Sequence, residues 1–228
     1  MLFPWVGMFE QIRLADVYVH YVDVQFSKGS FVNRVQIKTS NGFDWLTIPL
    51  RGFKLGQHIN QVIVDNSRDW RRSHIDFLTQ ALSGAPYIDE MLEIVESVYS
   101  KSYTNLVDIV VESIHAVCTY FELDRKVTFL QSPQLNIGGS SSQRVLDTVM
   151  CLKGGAYITG HGAKNYLDHE IFENAGIRVE YMDYRKTPYP QLHGPFTPYV
   201  SILDLIANMG KDGKKIIHSD SVYWKDFL

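Results

Sequence analysis

Apolar residues fall at helical spacing in some segments and in short unbroken runs in others, and each pattern predicts a different element. Residues 5–14 read as a short helix with Val6, Phe9 and Ile12 on one face. Val17 to Val22 is apolar on both faces apart from His20, as in a buried strand of a mostly parallel sheet. Asp44 to Leu50 and Gln61 to Asp65 read as further strands. Asn66 or Ser67 can cap a helix that starts near Asp69 and stops before Gly84-Ala85-Pro86, and a second helix runs from Asp89 to Ser100. The clearest helix is Asn105 to Phe121. Leu106, Ile109, Val110, Ser113, Ile114, Val117 and Phe121 mark one face of it.

The second half alternates strand and helix. Residues 126–130, 156–159 and 178–181 read as strands, and residues 143–152 and 165–174 as helices. Ser201–Met209 makes a last helix closed by Gly210, and Lys211–Lys215 a surface turn. Such alternation predicts an α/β fold, a mostly parallel sheet flanked by helices. Repeats and linkers are absent from the pattern. Residues 1–228 therefore read as one domain, with a central helical subregion at about 67–121.

Composition narrows the class. Hydrophobic residues make up 45% and charged residues 21% of 228, ordinary for a soluble globular chain. A net charge of −3 gives no global electrostatic case for nucleic acid. The two cysteines, Cys118 and Cys151, lie in apolar helical patterns and make no disulfide framework. No signal peptide and no membrane-length apolar run is evident, so a cytoplasmic location is expected.

Charge is uneven, however. Between Asp23 and Asp44 there is no acid, while Lys28, Arg34 and Lys38 all fall in the gap. Interleaved with Gln25, Asn33 and Gln36, they suit a phosphorylated, hydroxyl-rich small molecule. The same stretch also reads as an edge strand protected by lysines. Ligands of open parallel sheets bind beyond the carboxyl ends of the strands. That rule gathers Asp23, Gln25 and Lys28, then Gln131 and Ser132, then Thr159, Gly160 and His161, then Asp183 and Tyr184. His161 beside glycines can act as a general base near neutral pH, or simply bond a nearby carbonyl. Trp5 can stack on a sugar or anchor a helix start. Ser140 with Gln143 reads as a capping box. His161 and His169 lack zinc-site spacing, so no metal is expected, and no nucleophile elbow is present.

Several segments together resemble a known family. Phe3-Pro4-Trp5-Val6-Gly7-Met8-Phe9, Ala15-Asp16-Val17-Tyr18-Val19, the run Asp23 to Lys28, and Asn33-Arg34 resemble the opening of the WbqC-like family. The likeness continues through Trp45–Pro49, Tyr157–Gly160, Tyr189-Pro190-Gln191 and Ser201–Leu205, in order and over nearly the whole chain. The chain departs from the pattern in two places. The family usually begins with a short strand ending in Gln-Pro before this turn, so the sheet is expected to be one strand short. It also often carries two acids where Val22-Asp23 stands here.

The resemblance implies a place in surface-polysaccharide synthesis, notably of O-antigen. The reaction it implies is transfer of an aminoacyl (glycine-like) or acyl group to an amino sugar carried on a nucleotide or lipid. On that expectation Lys28, Arg34 and Lys38 hold phosphate, while Gln25, Asn33 and Gln191 orient the sugar. Asp23 or His161 handles the proton. Trp5 and Thr159, with Tyr189 and Asp204 singled out by the likeness, complete the binding set. The donor is an activated acyl or aminoacyl compound, with ATP use left open. A non-catalytic sugar-binding or assembly protein, or a glycosyltransferase, are the alternatives.

Overall fold

A computed structural model describes residues 1–228 as a mixed α/β protein. Its helices are α1 Val6–Leu14, α2 Trp70–Ala81, α3 Ile88–Tyr99, α4 Leu106–Tyr120, α5 Ser141–Cys151, α6 His169–Asn174, α7 Ile202–Met209 and α8 Trp224–Phe227. The strands are β1 Val17–His20, β2 Arg34–Thr39, β3 Gly42–Thr47, β4 Leu50–Arg51, β5 Ile63–Val64, β6 Thr128–Gln131, β7 Ala156–Thr159, β8 Arg178–Met182 and β9 Ser221–Tyr223. They form four small sheets instead of one mostly parallel sheet. β1 pairs with β6 and β7 with β8 in parallel, while β2–β3, β4–β5 and β8–β9 are antiparallel. The reason lies in connection length. Thr39 pairs with Gly42 across Ser40-Asn41, and a two-residue turn can only return the chain antiparallel.

The contacts divide into two compact units. Unit 1 holds residues 1–9, 22–125 and 186–217. Its helices α2, α3, α4 and α7 pack through the apolar stripes read from the sequence. Leu106, Ile109, Val110, Ser113, Ile114, Val117 and Phe121 are all buried. Asp69, not Asn66 or Ser67, caps α2 by accepting the Arg72 N–H at 3.2 Å. Ser201 caps α7, its Oγ accepting the Leu203 N–H at 3.2 Å. Asn66 instead bonds the Tyr103 carbonyl at 2.9 Å.

Unit 2 holds residues 10–21, 126–185 and 218–228. Its core joins Leu146, Phe172, Val179 and Tyr181, with Tyr157, Trp224 and Phe227 packed against them. Tyr181 and Phe227 stack at 4.3 Å, and His169 stacks on Trp224 at 4.6 Å. β9 and α8 had no distinct signal in the sequence; they form because β8 and this aromatic cluster receive them. The expected Ser140 capping box is not formed. Ser140 makes no side-chain cap bond. Ser142 Oγ accepts the Asp168 N–H at 2.9 Å, so hydroxyls there serve tertiary contacts.

Gly210 closes α7 at φ 53° and ψ −142°, a backbone state nearly confined to glycine. A Cβ there would lie 2.6–2.9 Å from the Tyr87 ring. Gly210→Ala is therefore expected to cost about 2 kcal/mol, read as a lower denaturation midpoint in guanidinium. An unchanged midpoint would show that the α7 terminus adapts.

Candidate functional site

Along β2 the side chains alternate between two faces. Val35 and Ile37 are buried on one, together with Leu46 of β3. Arg34, Gln36 and Lys38 share the other with their partners Thr47, Trp45 and Phe43. This face is unusually aromatic and exposed. Trp45 is 40%, Phe43 51% and Phe31 43% exposed. Phe31 links Trp45, at 5.6 Å between ring centres, to Trp5, at 5.8 Å. The Arg34 guanidinium lies 4.0 Å over the Trp45 ring. Its Nη2 donates to the Gly29 carbonyl, while its Nε is buried without a partner. Gly29 sits at φ 81° in the turn that also carries Lys28. A cation and the rings of Trp45, Phe31 and Trp5 thus adjoin along one surface, an arrangement that can hold an anion and stack on a ring.

Lys38 departs from this surface although it shares its strand. It is 4% exposed, and its ammonium donates to Gln191 Oε1 at 3.2 Å and to the carbonyls of Gly194 and Pro195 at 3.2 and 2.6 Å. Gln191 also exchanges bonds with Thr197 at 3.0 Å, so it fastens the 191–197 loop. Asn33 is likewise committed, donating to the Ile48 carbonyl at 2.9 Å and fixing the end of β3. Gln25 is exposed and bridges to His58, and Lys28 is exposed. Asp23 is half-buried.

A second cluster in unit 1 surrounds Asp204, which is fully buried on α7. Its Oδ1 accepts from the Tyr189 hydroxyl at 3.0 Å and from Asn208 Nδ2 at 3.4 Å, while Oδ2 has no partner. Burial raises its pKa to about 6, against the opposing pull of the Tyr189 hydrogen bond and the Lys38 charge.

The two remaining predicted residues lie in unit 2. Thr159 is buried at the end of β7. His161 Nε2 lies 2.7 Å from the Met182 carbonyl and must donate to it, which leaves Nδ1 as the basic nitrogen. Nearby on the same strand end, Ser219 Oγ lies 2.7 Å from the Asp183 carbonyl, and its hydrogen bond with the Glu10 side chain favours the Glu10 carboxylate. Glu10 is 1% exposed with Oε2 unpartnered. Burial pushes its pKa up to about 7, and the Arg13 charge only partly offsets this. Glu10 escaped the sequence reading, yet it falls four residues after Val6, on the buried stripe of α1.

Fold and site together define a mixed α/β protein bearing an arginine–tryptophan face and two buried carboxyl groups whose pKa values burial raises. The chain belongs to the WbqC-like protein family, whose model matches residues 1–216 and so spans both units. It is also 30% identical over 212 residues to a Mycobacterium tuberculosis (strain ATCC 25618 / H37Rv) protein named "Uncharacterized protein Rv1507c", covering 92% of this chain and 90% of that one. No solved structure matches the chain. No helix is long and apolar enough to cross a membrane.

Both raised carboxyl pKa values mean that the folded state binds protons more tightly than the unfolded chain. The stability they contribute is complete below the ordinary carboxylate range. It is lost as pH rises through about 6 for Asp204 and about 7 for Glu10. Glu10→Gln should raise stability at about pH 8 by roughly 1–2 kcal/mol and flatten the pH profile. Urea denaturation of both proteins across this range checks it; parallel profiles would refute the Glu10 assignment.

Proposed function

We propose that the protein is a transferase of surface-polysaccharide synthesis that places an aminoacyl or acyl group on an amino sugar carried by a nucleotide or lipid phosphate. The observation that carries this reading is the face of exposed Phe31 and Trp45 and half-buried Trp5, with Arg34 above Trp45. Aromatic rings stack on the apolar face of a sugar or on a base, and the guanidinium fork pairs with phosphate oxygens. Lys28 adds positive charge in the adjacent turn. Family membership supports the pathway.

In the proposed reaction the neutral amine of the sugar attacks the acyl carbonyl. A C–N bond forms, the bond to the leaving group breaks with its electron pair, and the amine proton passes to a base. The proposed base is Asp23, in the same unit as that face, or alternatively His161 through Nδ1. The proposed donor is a preformed activated acyl or aminoacyl compound, or the free acid activated by ATP, and the reaction is proposed to run in the cytoplasm without a metal.

One observation favours the non-catalytic alternative, a sugar-binding protein of the same pathway. The polar ends of Asn33, Lys38 and Gln191 are spent inside the fold, leaving binding to aromatic rings and Arg34. Catalytic turnover of an activated glycine donor with UDP-glucosamine separates the two.

Calorimetric titration with UDP-glucosamine tests the site itself. Arg34→Ala should lose about 2 kcal/mol of binding, roughly thirtyfold, and wild-type affinity should fall with salt. Unchanged affinity in an Arg34→Ala protein that keeps its denaturation midpoint defeats the assignment.

A further inference from the structure

We propose that the cleft between β1 and β7 in unit 2 is a binding site for an extended apolar segment of a partner protein, which enters it as an added strand. The cleft encloses about 430 Å³ and is lined by residues 15–19, which lead into and along β1, and by residues 154–158, which lead into and along β7. β1 is bonded to β6 and β7 to β8, and they are not bonded to each other. Two hydrogen bonds establish which backbone groups each ladder uses. The Thr128 N–H donates to the Asp16 carbonyl at 2.9 Å, and the Arg178 N–H to the Gly155 carbonyl at 3.1 Å. In a parallel ladder alternate residues serve the same neighbour. Asp16 and Tyr18 therefore face β6, and Gly155 and Tyr157 face β8. The N–H and C=O groups of Val17 and Val19 on one wall, and of Ala156 and Ile158 on the other, point into the cleft.

One cleft acceptor already shows how such groups are met. Gln11 Nε2 donates to the Ile158 carbonyl at 3.2 Å, a side-chain amide supplying one bond of a kind that a strand supplies in series. Donors and acceptors that alternate along both walls call for an occupant with the same alternation on both of its edges. Polypeptide backbone has that repeat every two residues; sugars and nucleobases do not. The remaining lining fixes the side chains. Leu14, Val145, Val149 and Leu152 are apolar, and Asp16 and Lys153 are the only charged residues lining the cleft. β1 and β7 are four residues long, which sets the length of the segment. This site is independent of the sugar-phosphate face and extends the protein's role to recognising another chain.

The probe is the capped peptide acetyl-Lys-Val-Ile-Val-Ile-Lys-amide, titrated into the full-length protein and followed by amide hydrogen exchange in NMR spectra. Binding should slow exchange at Val17, Val19, Ala156 and Ile158 by tenfold or more. A strand flanked on both sides uses every one of its amides. N-methylation of either both valines or both isoleucines should therefore abolish binding, whereas simple edge binding tolerates one of the two. Ala156→Pro removes a cleft-facing N–H at the first residue of β7 and keeps the β8 ladder. It should weaken the peptide about tenfold. The proposal is overturned if the peptide does not bind at millimolar concentration, or if its N-methylated forms bind equally well. It is also overturned if the four amides are already protected in the protein alone, the mark of a slot that the protein or a second copy of it fills.

Discussion

Two buried serines hold the backbone of Phe3, and the aromatic face of unit 1 depends on that grip. The Phe3 N–H donates to Ser113 Oγ of α4 at 3.1 Å, and its carbonyl accepts from Ser201 Oγ at the start of α7 at 2.8 Å. Both serines and Phe3 itself are fully buried, so an unmet backbone group there would cost as much as a lost buried hydrogen bond. Phe3 sits at φ 34°, an unfavourable state for a residue with a Cβ, which these contacts hold in place. The adjoining Pro4 carbonyl accepts the Ile202 N–H at 2.9 Å. Trp5 follows directly, so its place against Phe31 is set by helices distant in sequence.

The same unit shows how one basic segment separates into surface and interior charge. Arg34 and Lys38 stand on the same face of β2, four residues apart. At Arg34 the face is open, and the guanidinium lies on an indole. At Lys38 the 191–195 loop closes over the strand, and a buried ammonium is tolerable because three oxygens receive it. Its charge then favours the ionised form of Asp204, the neighbouring buried acid, although burial still prevails. One cation lies at the surface against an indole, and the other organises the loop.

In unit 2, polar groups sit at strand ends around an aromatic core. Tyr181 stacks on Phe227 and its hydroxyl meets His169 Nε2 at 2.8 Å, which ties that histidine into the aromatic core. His161 and Glu10 meet the end of β8 at consecutive residues, through Met182 and, by way of Ser219, Asp183. A donor histidine and a buried carboxyl group of raised pKa thus share one stretch of backbone.

What the sequence determined was every element with a clear period of its own. The stripe of α4, the helices near 70–81, 88–99 and 202–209, and the β7 strand at 156–159 follow from local spacing, because a helix or strand must bury its apolar side whatever its partner. The run of cations from Lys28 to Lys38 was legible in the same way, as an imbalance of charge. Sequence spacing carried no information on pairing. Short strands of two to six residues can join parallel or antiparallel ladders, and only the two-residue turn after Thr39 and the arrival of β9 beside β8 settled which. Nor did it separate Arg34 from Lys38, or distinguish Glu10 from a solvated acid, because burial of a charge is decided by what closes over it. That cover comes from residues 191–195 for Lys38 and from Ser219 beside Asp183 for Glu10, both far along the chain. Contacts at such separation exist only once the chain has folded.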